Sequence, residues 1–429
     1  MEWYTAGIVI LSLLLFFLFS GLPVAFAMLT VSFLMLGISS GWQNMLHIIS
    51  TSSFVTATNY NFIAAPLFIL MGTVFTYSGI GSLMCAAIYR WLRFLPGSLA
   101  VTSFVACAVF GAMSGSTTAT TAAIGSITSP QMIRYGYDPR LATGSVVVGG
   151  GLGPIIPPSI FLIIFGVVAQ ISIGDLFIAT IIPGLITTIL LCVMTMVICI
   201  VKPNLVSSKI KPEKLKYKEL IIGVLSPIIV IFMVLGSIYL GITTPVEAAG
   251  IGCVGSISIG FIIQGLNLTK LWYALLSAVK TTCMVLMLLI GAALFSRVLV
   301  QYMIPQNIGE YVMHLNIPVW GIMFAIMFVV FVSGFFIEGT ALITILVPIF
   351  LPIIKMLNID PILFGVAFTI NLCIGAITPP FAVNVYVMAG IMPEVPLLSI
   401  IKGALWFMPV LLFVLFLVIM FPKLSLWLI

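Results

Sequence analysis

The sequence predicts an all-α polytopic membrane protein made of two inverted-topology repeats, each with a re-entrant hairpin and a broken helix. Three observations carry this prediction. The first is composition: of 429 residues, 62% are hydrophobic and 6% charged, whereas a soluble domain carries roughly 25% charged residues. No soluble core could hide so much apolar surface beneath so few charges. The apolar runs are continuous rather than alternating, which argues against a transmembrane barrel. The second observation is internal repetition at one offset. Pro23-Val24 recurs as Pro245-Val246, Asp138-Pro139 as Asp360-Pro361, Pro130 as Pro352, and a shared G-x-I-x-P-P at 153–158 recurs at 375–380, all 222 residues apart. The third is that the glycine- and proline-rich interruptions come in pairs, one in each half.

In chain order, the apolar run 4–19 reads as a first span. It is expected to be retained rather than cleaved, because Glu2 stands where a basic n-region belongs and no A-x-A site follows. A span at 22–40 is followed by an amphipathic arm at 42–58, a span at 61–78 and a second arm at 79–95. Trp42, Trp91 and, in the second half, Trp272 suit arms lying in the membrane interface. Segment 97–132 is too long for one crossing, and its middle, 111–121, is small and polar with two glycines. Such a stretch favours a backbone reversal at depth, hence a re-entrant hairpin.

Asp138 and Pro139 read as N-cap and first-turn proline of the next segment, 139–171. That segment cannot be one continuous helix, because Gly149, Gly150, Gly151 and Gly153 are followed by Pro154, Pro157 and Pro158. A long span at 176–200 closes the first half. The second half repeats the order: a span at 219–240 answers the opening one, and 244–262 opens with the capping-box pattern Thr244-Pro-Val-Glu247. An arm at 264–280, a span at 283–300, an arm at 301–317, a hairpin at 319–354, a broken span at 361–393 and a span at 398–422 complete it.

The net charge of +6 is a topology signal and gives no reason to expect a nucleic-acid partner. Residues 202–218 hold six lysines and are expected to be cytoplasmic. With hairpins returning to their own side, thirteen of the 16 Lys and Arg then face the cytoplasm, and only Arg297, Lys355 and Lys423 lie toward the outside. The N-terminus is placed in the periplasm. Five crossings separate Pro23 from Pro245, so the repeats are inverted. Non-helical backbone at membrane depth survives only inside protein or along a wet cavity, and paired broken segments in inverted halves mark the binding site of a secondary transporter.

Four elements are therefore expected to meet near the midplane: tips 111–121 and 334–341, and breaks 149–159 and 371–384. Carbonyls and hydroxyls are hard ligands suited to sodium, and freed helix N-termini favour an anion. One Na+ is expected among Ser114, Ser116, Thr117, Gly149 and Gly153. A second is expected among Gly339, Thr340, Asn371, Gly375, Thr378 and Pro379. The same small residues also serve tight helix packing.

Arg297 lies in an otherwise apolar run, which costs roughly 2.5–3.5 kcal/mol on insertion scales. Its guanidinium either receives a carboxylate or snorkels to the outer interface. Glu338, where the first repeat has Ser116, compensates cation charge, orients the second tip, or is a buried structural glutamate, protonated or paired with an arginine. The seven cysteines form no CxxC or zinc spacing, and His47 and His314 lie far apart, so no transition-metal site is expected. No Ser/His pairing, intramembrane Asp pair or HExxH suggests an enzyme.

Together the two tips, with Glu338-Gly339-Thr340 in the second, and the breaks at 149–159 and 375–380 resemble the large membrane subunit of tripartite ATP-independent periplasmic (TRAP) transporters. The resemblance spans essentially the whole chain. It implies a sodium-driven elevator in the bacterial inner membrane, in which a transport domain moves against a scaffold. On that reading, residues 1–20 are a scaffold span. Residues 21–200 form the first repeat (scaffold 22–95, transport 97–171, scaffold span 176–200), and 201–218 are the basic loop. Residues 219–429 form the second repeat (scaffold 219–317, transport 319–393, scaffold span 398–422).

The resemblance further implies a separate small (Q-type) membrane subunit, a periplasmic substrate-binding protein and an organic acid substrate. It points to substrate contacts at Ser114, Ser159 and Arg297. The chain looks most like the sialic-acid (N-acetylneuraminate) branch, while C4-dicarboxylate members share the scaffold. A stand-alone sodium/divalent-anion symporter is the rival, but its paired Ser-Asn-Thr signatures are absent from both tips.

Overall fold

The computed structural model describes residues 2–206, 217–263, 265–314 and 317–429, and the described residues contain helices and no strand. Most of the expected basic loop thus lies outside the described residues. The first half holds α1 (Trp3–Phe19), α2 (Val24–Ser40), α3 (Trp42–Ala57), α4 (Ala64–Ser78), α5 (Ile80–Leu92), α6 (Ser98–Ser114), α7 (Thr117–Arg134), α8 (Pro139–Gly150), α9 (Leu152–Ile155), α10 (Ile160–Ala169) and α11 (Ile173–Val201). The second holds α12 (Tyr217–Tyr239), α13 (Pro245–Ile262), α14 (Leu268–Gln301), α15 (Ile304–His314), α16 (Val319–Ser333), α17 (Gly339–Met356), α18 (Pro361–Gly375), α19 (Val383–Ile391), α20 (Leu397–Leu405), α21 (Met408–Met420) and α22 (Lys423–Leu426). Among the described residues, eight helical segments are long and apolar enough to cross a membrane.

Local chemistry sets the helix ends. Gly115 turns the chain between α6 and α7 with φ +61°, and a Cβ there would lie 2.9 Å from the Ile160 amide nitrogen, so only glycine fits. Ser116 then caps α7. Thr244 and Glu247 form the reciprocal capping box that opens α13. Asp138 and Asp360 cap α8 and α18, each followed by proline at the first helical position. The two breaks fall after Gly150 and Gly375, and α7 and α17 occupy stretches 222 residues apart from first residue to last.

Two expectations are corrected. The arm at 264–280 and the span at 283–300 are one helix, α14, of 34 residues. No glycine or proline interrupts it before Gly291, whereas in the first half Asn59 caps a short turn and Pro66 cannot donate to a preceding turn, so α3 and α4 stay separate. The span expected at 398–422 is divided at Trp406-Phe407, because Pro409 starts a new helix there.

The broken helices form the interior. Leu141 to Gly150 of α8 and Leu363 to Gly375 of α18 are buried without exception. Phe165 and Phe368 pack near them with ring centroids 6.0 Å apart. The periphery is apolar and exposed, as lipid requires; α11 shows Leu185, Ile189, Val193, Val197 and Val201 at four-residue spacing.

Asp138 carries a testable consequence. Its carboxylate receives both Nε and Nη2 of Arg140, at 3.0 and 2.8 Å, and the Arg140 amide at 2.8 Å. The Arg140 side chain first, then the backbone amide, hold this carboxyl below its ordinary value against an opposing desolvation. A lowered carboxyl stabilises the fold above the unfolded value near 4 and loses that contribution as pH falls through the folded value. Asp138→Ala is expected to cost about 1 kcal/mol at pH 7. The melting-temperature difference from wild type, measured in detergent, should shrink toward zero near pH 2; a difference independent of pH would contradict this.

Candidate functional site

The two hairpin tips, the second break and the start of α10, which follows the first break, border a cavity of about 490 Å³. One wall is the first tip, Ser114 to Ala119, and the facing wall is the second, Ile337 to Thr340. The start of α10 and Gly375-Ala376 at the C-terminal end of α18 close it from behind, while α4 and α14 contribute Thr73, Thr76, Ser277 and Thr281 on the other side. The N-terminal turns of α7, α10 and α17 all border this space. The α17 end is already capped by the Glu338 carboxylate, so the ends of α7 and α10 are the ones favourable for an anion. Glu338 is the one ionisable side chain among the described residues that line it.

The first tip is held by its own hydroxyls. Ser114 Oγ and Thr120 Oγ1 lie 2.8 Å apart, and Thr120 Oγ1 also donates to the Ser116 carbonyl at 2.7 Å. Thr121 Oγ1 donates to the Thr117 carbonyl at 2.9 Å. The break packs against this cluster backbone to backbone. A Cβ on Gly153 would lie 2.9 Å from the Ser116 carbonyl oxygen and 3.0 Å from Thr120 Oγ1. Gly149 instead packs on Cys107, deeper in the core. Ser114, Ser116, Thr117, Thr120, Thr121 and the chain at Gly153 thus gather hard oxygens in one place.

At the second tip, Glu338 caps α17. Its carboxylate accepts from the Thr340 amide at 2.9 Å, the Ala341 amide at 3.3 Å and the Thr340 hydroxyl. Gly334 and Gly375 meet backbone to backbone, a Cβ on Gly375 falling 3.1 Å from the Gly334 carbonyl oxygen. Thr378 spends its hydroxyl on the Ile374 carbonyl at 2.6 Å. Asn371 donates to the Met327 carbonyl at 2.6 Å, while its Oδ1 is buried without a partner. A buried acceptor left open costs about 1–3 kcal/mol, and a bound cation would satisfy it.

The structure sorts the expected residues. Ser114, Ser116, Thr117, Glu338, Gly339, Thr340 and Gly375 border the cavity. Gly153 lies directly behind the first tip. Asn371, Thr378 and Pro379 belong to the second break without lining the cavity. Ser159 is fully buried, caps α10 by accepting from the Leu162 amide at 3.3 Å, and does not line the cavity.

Arg297 stands apart from the cavity. It is exposed, and it lies twelve residues beyond Val285, the last residue of α14 that lines the cavity. At 1.5 Å and 100° per residue, that is about 18 Å further along the helix and about 120° around it. The side chain belongs to the outer surface, near Gln301, which donates to Ser39 and Ser40. Depth and azimuth both separate it from the cavity.

Sequence reasoning placed Thr120 and Thr121 in tip 111–121 without singling them out, and it missed the hydroxyl pairs Thr73/Thr76 and Ser277/Thr281. Three- and four-residue spacing of hydroxyls on otherwise apolar helices was the available signal.

Comparison with known proteins agrees with this geometry. Residues 11–424 match the family described as "Tripartite ATP-independent periplasmic transporter, DctM component". The chain is 34% identical over 376 residues to the C4-dicarboxylate TRAP transporter large permease protein DctM of Pseudomonas aeruginosa, covering 87% of each. It is 32% identical over 418 residues to the sialic acid TRAP transporter large permease protein SiaM of Vibrio cholerae, covering 95% of each. Its fold resembles the crystal structure of the Alcanivorax borkumensis YdaH transporter, with a TM-score of 0.63 at 15% identity over 90% of this chain and 89% of that one.

Proposed function

The chain belongs to the large permease family of tripartite ATP-independent periplasmic (TRAP) transporters, and we propose that it imports an organic acid together with sodium by an elevator movement. It is a multi-pass membrane transporter subunit and not an enzyme. Such a permease works with a small membrane subunit and a substrate-binding protein. We place it in the bacterial inner membrane with its N-terminus in the periplasm.

The observation that carries the reading is the cavity between two glycine-jointed tips, bordered by three helix N-termini and gathering carbonyl and hydroxyl oxygens behind each tip. The helix ends of α7 and α10, whose caps are uncharged serines, would receive a substrate carboxylate. With no cationic side chain among the described lining residues, the remaining positive charge for an acidic substrate comes from Na+. Ser114, Ser116, Thr117 and the chain at Gly153 would hold one ion. The second tip and break, with the open Oδ1 of Asn371, would hold another. The matching extents of α7 and α17 and the paired breaks support two inverted repeats, with 97–171 and 319–393 moving as one body past the remaining helices.

The substrate we propose is a small organic acid, a C4-dicarboxylate ahead of sialic acid, since the DctM relative is slightly more similar than SiaM. The test is uptake into proteoliposomes holding this chain, its small subunit and its binding protein. Labelled succinate and sialic acid would be offered with and without an inward sodium gradient. Uptake of one acid should require both sodium and the binding protein. Uptake that persists at full rate without sodium would overturn the coupling, and uptake without the binding protein would favour a stand-alone symporter.

A further inference from the structure

We propose that a groove between α11 and the α20–α21 junction holds one anionic phospholipid, with its phosphate at Lys202 and Arg140 and an acyl chain along α11. The groove has a volume of about 270 Å³ and is lined by Met194, Val197, Ile198 and Val201 of α11, with Trp406 and Lys202 at its end. Both cations flank the same indole: the Arg140 guanidinium lies 5.4 Å and the Lys202 ammonium 6.0 Å from the Trp406 ring centroid.

Charge complementarity selects the occupant. Arg140 is matched by Asp138 at 2.8 Å, while Lys202 has no carboxylate within ion-pair distance among the described residues. Among the described residues, the mouth of the groove therefore carries one uncompensated positive charge beside an indole, the combination that basic interfacial pockets offer to lipid phosphates. Below it runs the exposed stripe Leu185, Ile189, Val193, Val197 and Val201. From Leu185 to Val201 this stripe is about 24 Å long, more than the roughly 15 Å of one leaflet that an acyl chain occupies. One charge at the end of an apolar track of that length fits a phosphate above an acyl chain.

The position gives such a lipid a structural role. Arg140 stands in the first turn of α8, Lys202 directly follows α11, and Trp406 separates α20 from α21. The Asp138 amide also donates to the Leu205 carbonyl at 3.0 Å, tying α8 to the segment after α11. A phosphate between the two cations would join all three parts. This inference rests on the chain spanning a membrane and is independent of sodium coupling and of substrate.

The experiment is native mass spectrometry of the full-length chain in detergent, titrated with palmitoyl-oleoyl phosphatidylglycerol or with phosphatidylcholine of the same chains. One lysine at the surface is worth about fivefold in anionic lipid binding, so phosphatidylglycerol should be retained about fivefold more. Lys202→Glu should remove that preference, and Val197→Trp, which fills the groove, should lower retention of both lipids. Inorganic phosphate, lacking a chain, should not displace the lipid at millimolar concentration. Where Lys202→Glu lowers the melting temperature, Lys202→Gln is read by the same criterion. Equal retention of the two lipids by the wild type would overturn the proposal, as would an undiminished preference in the folded lysine variant.

Discussion

Replacing Gly111 with valine is expected to reduce uptake by about a hundredfold or more while leaving the chain inserted and helical. A Cβ at position 111 would lie 2.6 Å from the Gly153 Cα and 3.0 Å from the Gly153 amide nitrogen. Both are backbone atoms, so no side-chain rotation relieves the clash, and α6 and α9 must separate. Overpacking of this kind costs typically about 1–3 kcal/mol, which a protein with so large a buried interior can absorb. Function cannot absorb it as easily. Gly153 lies behind the Ser116 carbonyl and Thr120 hydroxyl, so a shift of about 1 Å there disperses the oxygens proposed to hold sodium, and misplacements of that size cost about two orders of magnitude in positioned chemistry. Gly390→Ala is the control, because nothing lies within 4 Å of a Cβ there. The measurement pairs uptake with sodium dependence and melting temperature. Normal uptake by a folded Gly111→Val chain would remove the close approach of tip and break from the mechanism.

What could be read in the sequence, and what could not, follows from the range over which each signal acts. Gly115, Pro139, Pro245 and Pro361 act on their own backbone, so helix starts and turns at these positions follow from residue identity alone. The paired interruptions at 149–159 and 371–384 are legible for the same reason, and both coincide with breaks between helices. Arg297 shows the opposite case. Its placement in an apolar run is visible in the sequence, but the face of α14 on which it stands depends on how that helix is rotated against α2 and α4. Rotation is a property of packing across distant segments. Ser159 is similar: its hydroxyl accepts from the Leu162 amide, a local option open to any serine preceding a helix. The continuity of α14 was hidden because an amphipathic arm and an apolar span look like separate elements when read by hydropathy, although nothing between them breaks a helix.

Glu338→Gln is expected to raise the sodium concentration for half-maximal uptake by about tenfold or more, with the tip still formed. The carboxylate is the only ionisable group among the described lining residues, and it stands at a helix N-terminus beside a cavity proposed to receive an anion. A carboxylate and a sodium ion about 8 Å apart attract by about 2 kcal/mol at an effective dielectric of about 20, a factor of about thirty in affinity. The same charge repels an acidic substrate. On the proposed coupling, the wild-type site would favour substrate only after sodium has entered, which is what obligatory coupling requires. The glutamine keeps a carbonyl oxygen that can accept from the Thr340 and Ala341 amides, so the cap on α17 survives while the charge is lost. The variant should need more sodium yet bind substrate more readily in its absence, seen as a higher uncoupled uptake relative to the coupled rate. Sodium titrations of uptake by wild type and variant, with melting temperatures as a folding check, decide the matter. An unchanged sodium requirement in a folded, active Glu338→Gln chain would confine Glu338 to capping its helix and leave sodium binding to the oxygens behind the two tips.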